Sequence, residues 1–282
     1  MEQLFLQFVR EKQFLDNVSE RTLKAFRDCY SAWKRTVGEQ LPTKDNIKEF
    51  VIGLRQSGIA ITTTNYYIRE MNSFLTWLYA NEHIPEKIRI KKLKEPQKVL
   101  KVFSDEQLKR LLSFKPKTFF EHRLYALVCL VVDTGVRIEE ALTLKRNELD
   151  LDNLLVTVTG KGDKQRIVPM SIELRKTLFK FLRMHSFEWV FPTRHGDRLT
   201  YRNSVRDFKA LCGRLGIEGV RTSWHTLRHG FALNYVRQGG SLFHLQKALG
   251  HTTLQMTRRY CELTEDDLKL MHRKTSILGR LK

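Results

Sequence analysis

The sequence of 282 residues predicts a mainly α protein with a small antiparallel β-hairpin, arranged as two domains. Three observations lead there. Apolar residues recur three or four positions apart through the first 85 residues, which is the helical period. Only one stretch, 154–169, alternates between apolar and polar in the way a strand pair requires. Between these regions runs a proline-containing basic segment that separates two blocks able to bury their own cores. A hydrophobic fraction of 41% with 10% aromatic residues excludes disordered and low-complexity classes.

Residues 1–85 read as a small all-α domain. An amphipathic N-terminal segment, MEQLFLQFVREKQF, comes first. Ser19-Glu20-Arg21-Thr22 opens the next helix, with Leu23, Phe26, Tyr30 and Trp33 on one face. Thr43-Lys44-Asp45 opens another, carrying Ile47, Phe50, Val51 and Leu54 to the Ser57-Gly58 break. The longest runs from about Thr62 to Asn81 and sets Tyr66, Ile68, Met71, Phe74, Leu75 and Leu78 at helical spacing.

Residues 86–102 read as an extended basic linker. Lys87, Arg89, Lys91, Lys92, Lys94, Lys98 and Lys101 stand against Glu86 and Glu95, with Pro85 just ahead of the segment and Pro96 within it, and the segment is expected not to pack. A charge run is ordinarily a solvated surface. In a chain with 50 Lys+Arg against 31 Asp+Glu, a formal charge of +19, a basic strap between domains is instead expected to lie along phosphates.

The second domain, 103–282, opens with a capping box at Ser104-Asp105-Glu106-Gln107 ahead of Leu108, Leu111 and Leu112. A mostly apolar helix from Arg123 to about Asp133 must lie in the core and stops at Thr134-Gly135; a shorter helix begins near Arg137. The period then changes. Leu154–Val158 and Arg166–Pro169 flank the glycine-rich tip Gly160-Lys161-Gly162-Asp163-Lys164 and predict a hairpin. From Ser171 onward the pattern is helical, apart from a strand candidate at Trp189-Val190-Phe191 and a loop at His195-Gly196-Asp197.

Other classes are excluded on similar grounds. The longest apolar run, within LYALVCLVV, is far short of the ~20 residues that span a bilayer, and the acidic N-terminus does not read as a signal peptide. The chain is therefore expected in the cytoplasm. Cys29, Cys129, Cys212 and Cys261 show no C-x-x-C pairing and read as reduced thiols rather than zinc ligands.

Five places could carry chemistry. Arg137 in Thr134-Gly135-Val136-Arg137-Ile138-Glu139-Glu140 starts a helix directly after a buried one, where a guanidinium can grip two phosphate oxygens; the plain alternative is a surface arginine paired with Glu140. Lys161 sits at a hairpin tip and could reach into a groove or deliver a proton, although turn lysines are ordinarily just solvated. In Ser223-Trp224-His225-Thr226-Leu227-Arg228-His229, the i, i+3 spacing sets His225 beside Arg228 on one helix face. His225 and His229 also have metal-ligand spacing, but Thr226 stands where the zincin pattern needs Glu, so no metal site is expected. Last come His251 in Leu249-Gly250-His251-Thr252-Thr253 and, one helix on, Tyr260, in a stretch that superficially resembles a helix-turn-helix.

In order and spacing, Arg137, Lys161, His225-x-x-Arg228, His251 and Tyr260 resemble the active-site series of the tyrosine recombinases, the λ-integrase-like or Xer-like site-specific recombinases. TGVRIEEALTL is similar to the family's first arginine box, HTLRHGFA to its second and LGHTTLQMTRRY to its histidine-to-tyrosine segment. The layout along the whole chain is similar too. The resemblance implies a SAM-like helical core-binding domain before a mixed α/β catalytic domain, and strand transesterification through a 3′-phosphotyrosine without metal, ATP or other cofactor. It further implies Tyr260 as nucleophile, Arg137 and Arg228 as the phosphate clamp, His225 as proton acceptor and Lys161 as proton donor to the leaving oxygen. His251 would contact phosphate, Glu140 would orient the cations, and His229 would be structural. The implied partners are double-stranded recombination sites in the nucleoid and, through a tail at about 262–282, neighbouring protomers in a tetramer assembled on DNA from a free monomer. An accessory or partner recombinase fits the same family. No domain is read ahead of the helical one, so arm-site binding is not expected. Two alternatives share the DNA-binding expectation: a type IB topoisomerase, and a regulator reading DNA through its helix-turn-helix look-alike without cleaving it.

Overall fold

The computed structural model describes residues 1–96, 100–160, 162–258, 260, 269, 272–273 and 276–278. Lys98, Lys161, Cys261 and most of the tail at 262–282 lie outside the described residues. The chain divides into two compact units, Met1–Lys98 and Val99–Lys282. The described residues are mostly helical with one three-stranded antiparallel sheet, as the periodicities predict.

The first unit holds α1 (Glu2–Phe14), α2 (Glu20–Thr36), α3 (Lys44–Gln56) and α4 (Ile61–Ala80). Their apolar faces meet in a core rich in rings: Phe5 stacks on Tyr30 at 4.1 Å, and Phe8 touches Phe26, Phe74 and Trp77. The Trp77 indole N–H donates to Glu11 Oε2 at 2.6 Å, tying α4 to α1. Thr43 caps α3 with a capping box to Asn46. Tyr66, placed by spacing on the apolar face of α4, is exposed instead, because it stands two residues, about 200° of helix, away from the buried Ile68.

The basic segment after α4 departs from expectation, since it packs. Ile84, Ile88 and Ile90 are buried in the first unit's core. Two asparagines on α4, two turns apart, bracket the strap as a neighbouring strand would. Asn72 accepts from the Ile90 N–H at 2.8 Å and donates to its carbonyl at 2.9 Å; Asn65 does the same to Leu93 at 2.7 and 2.9 Å. The physical reason is an alternation within the charge run: Ile88 and Ile90 point in, while Lys87, Arg89 and Lys91 point out. Lys92 and Lys94 are exposed as well.

In the second unit, α5 (Asp105–Leu112) starts at the Ser104–Gln107 capping box. The central helix α6 (Phe119–Thr134) begins four residues before Arg123, at a second capping box between Thr118 and Glu121, and ends at Gly135 with φ 64°. A Cβ at Gly135 would also stand 2.2 Å from the Phe231 ring. The short helix α7 (Ile138–Leu142) follows. Strands β1 (Leu149–Asp150), β2 (Leu155–Thr159) and β3 (Gln165–Pro169) pair in that order, with Val156 opposite Leu149 and Val168. Val156, Val158 and Val168 turn inward into the apolar core they share with α6 and α8 (Ile172–Leu182), whereas Ile167 faces out. Trp189 forms only an isolated bridge with Lys145 rather than a strand. Helices α9 (Tyr201–Arg214) and α10 (Trp224–Arg237) close the core, with Phe208 stacked on Trp224 at 4.4 Å. A separate apolar cluster joins the far half of α10 to α11 (Leu242–Leu249), just ahead of α12 (Leu254–Arg258); Ala232, Val236, Leu245, Leu249 and Tyr260 form it.

Candidate active site

Helix α11 ends at Gly250 in the left-handed conformation, φ 62°. Its last carbonyls have no partners within the helix, and they carry the negative end of its dipole. Three arginines from three separate segments converge on them. Arg166 Nε of β3 donates to Ala248 O at 2.8 Å, Arg228 Nη2 of α10 to Leu249 O at 2.8 Å, and Arg137 Nη2 at the start of α7 to Gly250 O at 3.1 Å.

One carboxylate stands among these cations. Glu140, 4% exposed, takes both terminal nitrogens of Arg166 at 2.8 Å each, the Arg137 guanidinium at 2.9 Å and the Arg137 backbone N–H at 2.8 Å. Burial alone would raise its pKa, but the Arg166 hydrogen bonds and charge, with the contacts from Arg137, outweigh this and hold it below the usual carboxylate value. Among the described residues, three guanidiniums face one carboxylate, which leaves an excess of two positive charges suited to an anion.

Arg228 is 4% exposed and is held on its other side by Gly135 O at 2.8 Å. Burial, and then the nearby Arg137 charge, push its pKa down to about 10, so it remains charged at neutral pH. Its Nη2 also meets His251 Nε2 at 3.1 Å. A guanidinium can only donate, so Nε2 accepts, and the imidazole proton sits on Nδ1, facing the buried Thr257 hydroxyl at 3.0 Å.

His225, one turn before Arg228, is exposed. Such desolvation as the ring suffers, and then the charges of Arg228, Arg221 and Arg137, lower its pKa below the ordinary imidazole value. Tyr260, by contrast, is buried in the α10–α11 cluster at 3% exposure. Its hydroxyl meets His229 Nδ1 at 2.8 Å.

The structure thus gathers Arg137, Glu140, Arg228 and His251, and His225 lies within reach of the charges of both arginines. Lys161 lies outside the described residues, although Gly160 at the base of its hairpin tip abuts the Glu140 carboxylate, which a Cβ there would approach to 3.2 Å. Lys87, Arg89, Lys91, Lys92 and Lys94 sit on the first unit, exposed. His229, expected to be structural, is hydrogen-bonded to the Tyr260 hydroxyl. One residue escaped sequence reasoning. Arg166 received no role, although its register gave a signal: it shares the inward face of β3 with Val168, and an inward arginine needs a partner. Among the described residues, no three His, Cys, Asp or Glu side chains are grouped to hold a metal ion, and no helix is long and apolar enough to cross a membrane.

The family model described as phage integrase family matches residues 101–266. The chain is 29% identical over 238 residues to tyrosine recombinase XerA of Thermococcus kodakarensis, spanning 82% of each. It is 28% identical over 283 residues to tyrosine recombinase XerD of Oceanobacillus iheyensis, spanning 95% of each. Among solved structures, the Tn1549 transposon integrase in complex with transposon right end DNA shares the fold with a TM-score of 0.81 at 17% identity, covering 97% of this chain and 99% of that one. A lambda integrase dimer bound to a core site gives 0.74 at 18% identity, covering 92% and 76%.

Proposed function

The chain belongs to the phage integrase family, a tyrosine recombinase that cleaves and rejoins DNA strands in site-specific recombination, and on that premise we propose that it works through a covalent 3′-phosphotyrosine at Tyr260. The Tyr260 oxygen attacks the scissile phosphorus and its proton passes to a base; the bond to the 5′-oxygen breaks and that oxygen is protonated. A 5′-hydroxyl of a partner strand then reverses the step. The phosphodiester bond energy is kept in the tyrosyl link, so no ATP is required.

The observation that carries this reading is the convergence of Arg137, Arg166 and Arg228 on the α11 C-terminus around Glu140. During attack the phosphate goes from about −1 to about −2, so fixed cations favour the transition state over the ground state. Arg137 and Arg228 are the clamp. His225, whose surroundings lower its pKa and so favour the neutral ring, is the proton acceptor. His251 is turned to the same cluster through Arg228, and Glu140 orients the cations through its bonds to Arg137 and Arg166. The donor to the leaving oxygen is assigned to Lys161 by its family resemblance.

The DNA is double-stranded and is gripped by both domains, helical 1–85 and catalytic 103–282, with the strap cations along the backbone, so two weak attachments reinforce each other. The tail at 262–282 docks on a neighbouring protomer in a tetramer on synapsed sites; Ile277 and Leu278, exposed here, are suited to that. The reaction serves integration and excision or the resolution of replicons and cointegrates in the nucleoid. A plasmid bearing two copies of the site tests this. Deletion or inversion between them is expected, whereas relaxation without exchange would mark a topoisomerase, and binding without either a regulator. The regulator reading also has to explain why the turn of its look-alike motif is occupied by three arginines.

A further inference from the structure

We infer that Arg166 is a positioning residue for strand cleavage, acting through Glu140 and the α11 C-terminus to aim the Arg137 guanidinium and keep its charge available to the phosphate. This rests on the clamp role proposed for Arg137. Each nitrogen of the Arg166 guanidinium is committed to protein: Nε to Ala248 O, Nη1 to Glu140 Oε1 and Nη2 to Glu140 Oε2, all at 2.8 Å. Three of its five N–H donors are used in this way, and all three bonds run to Glu140 and the α11 C-terminus, the neighbours through which it would act. The site is also moulded around it, because a Cβ on Gly250 would stand 2.9 Å from Arg166 Nη1, and one on Gly160 would stand 3.8 Å away.

Charge accounting gives Arg166 its function. Glu140 is buried and ionised, and a buried carboxylate must find compensating charge. With Arg166 spanning both carboxylate oxygens, that demand is met from β3, and Arg137 contributes only Nη1 and its backbone N–H. Without Arg166, Arg137 would be Glu140's remaining side-chain cation among these contacts and would be drawn away from the phosphate. Arg166 also fixes where Glu140 lies relative to carbonyls 248–250, and so sets Arg137 and Arg228 in a common frame. Lysine cannot substitute, since a single ammonium cannot span both carboxylate oxygens and the Ala248 carbonyl as a planar fork does.

Single-turnover cleavage of a nicked duplex tests the inference, using Arg166→Lys, Arg166→Gln, Glu140→Gln, the Arg166→Gln/Glu140→Gln double variant and Arg137→Ala. Each is assayed with an ordinary scissile phosphate and with a methylphosphonate, which lacks the charged oxygen a guanidinium would hold. Both Arg166 variants are expected to cleave the phosphate roughly a hundredfold more slowly with DNA affinity unchanged, because misaiming a group by ~1 Å costs that much. The double variant should lose no more than the worse single one. The defects of Arg166→Gln and Arg137→Ala should shrink together on the methylphosphonate. Normal cleavage by Arg166→Lys and Arg166→Gln while Arg137→Ala is inactive overturns the inference, as does an Arg166 defect of equal size on both substrates, which would mark a merely structural loss. Arg166→Lys keeps the test open should the glutamine variant not fold. Normal cleavage by Arg137→Ala would instead overturn the clamp reading, and the inference with it.

Discussion

His229 Nδ1 lies 2.8 Å from the hydroxyl of Tyr260, whose ring is packed among Ala232, Val236, Leu245 and Leu249. At 3% exposure that phenol must swing out of its packing before it can meet a phosphodiester. On the role proposed for Tyr260, the histidine would act as a latch on the resting nucleophile. Nitration with tetranitromethane should modify the exposed Tyr66, Tyr79 and Tyr201 quickly and spare Tyr260 in the DNA-free protein. His229→Ala should raise Tyr260 modification several-fold. Equal modification of Tyr260 and Tyr201 in the parent protein would dispose of the latch.

The strap makes a second prediction. Asn65 and Asn72 each satisfy a backbone N–H and C=O of an otherwise ladderless segment. Replacing either by alanine leaves part-buried polar groups unpaired, costing about 1–3 kcal/mol. Urea unfolding of the full chain should report that loss, and hydrogen exchange should show the Ile90 amide becoming fast in Asn72→Ala and the Leu93 amide in Asn65→Ala. Unchanged exchange would mean that burial of Ile88 and Ile90 alone holds the strap.

Because Lys87, Arg89, Lys91, Lys92 and Lys94 face outward from an anchored backbone, their charges are presented along a fixed line. Each one that neutralises a phosphate should contribute about 0.9 to the slope of log K against log salt. Replacing all five with alanine should flatten the slope by more than about 2, measured by anisotropy on duplex DNA. An unaltered slope would place the strap away from the phosphates.

The lowered pKa of His225 fixes the direction of a pH dependence. On the role proposed for His225, its neutral form accepts the proton, so cleavage should rise with pH through the folded pKa and stay flat above it until other groups titrate. Since that pKa lies below the ordinary ~6.5, the half-maximal rate should fall on the acid side of 6.5. Arg221→Ala removes one of the responsible charges and should move the break upward. A profile still breaking at the same pH in His225→Gln would assign the titration to another group.

Most of this was legible where the signal is local. The Ser104–Gln107 box, the Gly135 stop and the hairpin flanking Gly160 and Gly162 all follow from neighbouring residues, and all appear in the structure. The site was legible only as an ordered series of residue types. What held them together was not, because carbonyls 248–250 have no side-chain signature and their arginine partners are up to 113 residues away in sequence. Reading Lys87–Lys94 as charge alone concealed the isoleucines between the cations, and helical spacing alone could not tell that His229 rather than His225 would face Tyr260 in this state.

The account stands most directly on Tyr260. Nicked duplexes prepared from DNA flanking the gene, incubated with the protein in EDTA and resolved in SDS, let the short 5′ fragment escape and trap any covalent intermediate. The expected result is an SDS-resistant adduct that maps to Tyr260, is lost in Tyr260→Phe and is unaffected by EDTA. Tight binding of the same fragments with no adduct under any condition, or an adduct that survives Tyr260→Phe, would contradict it.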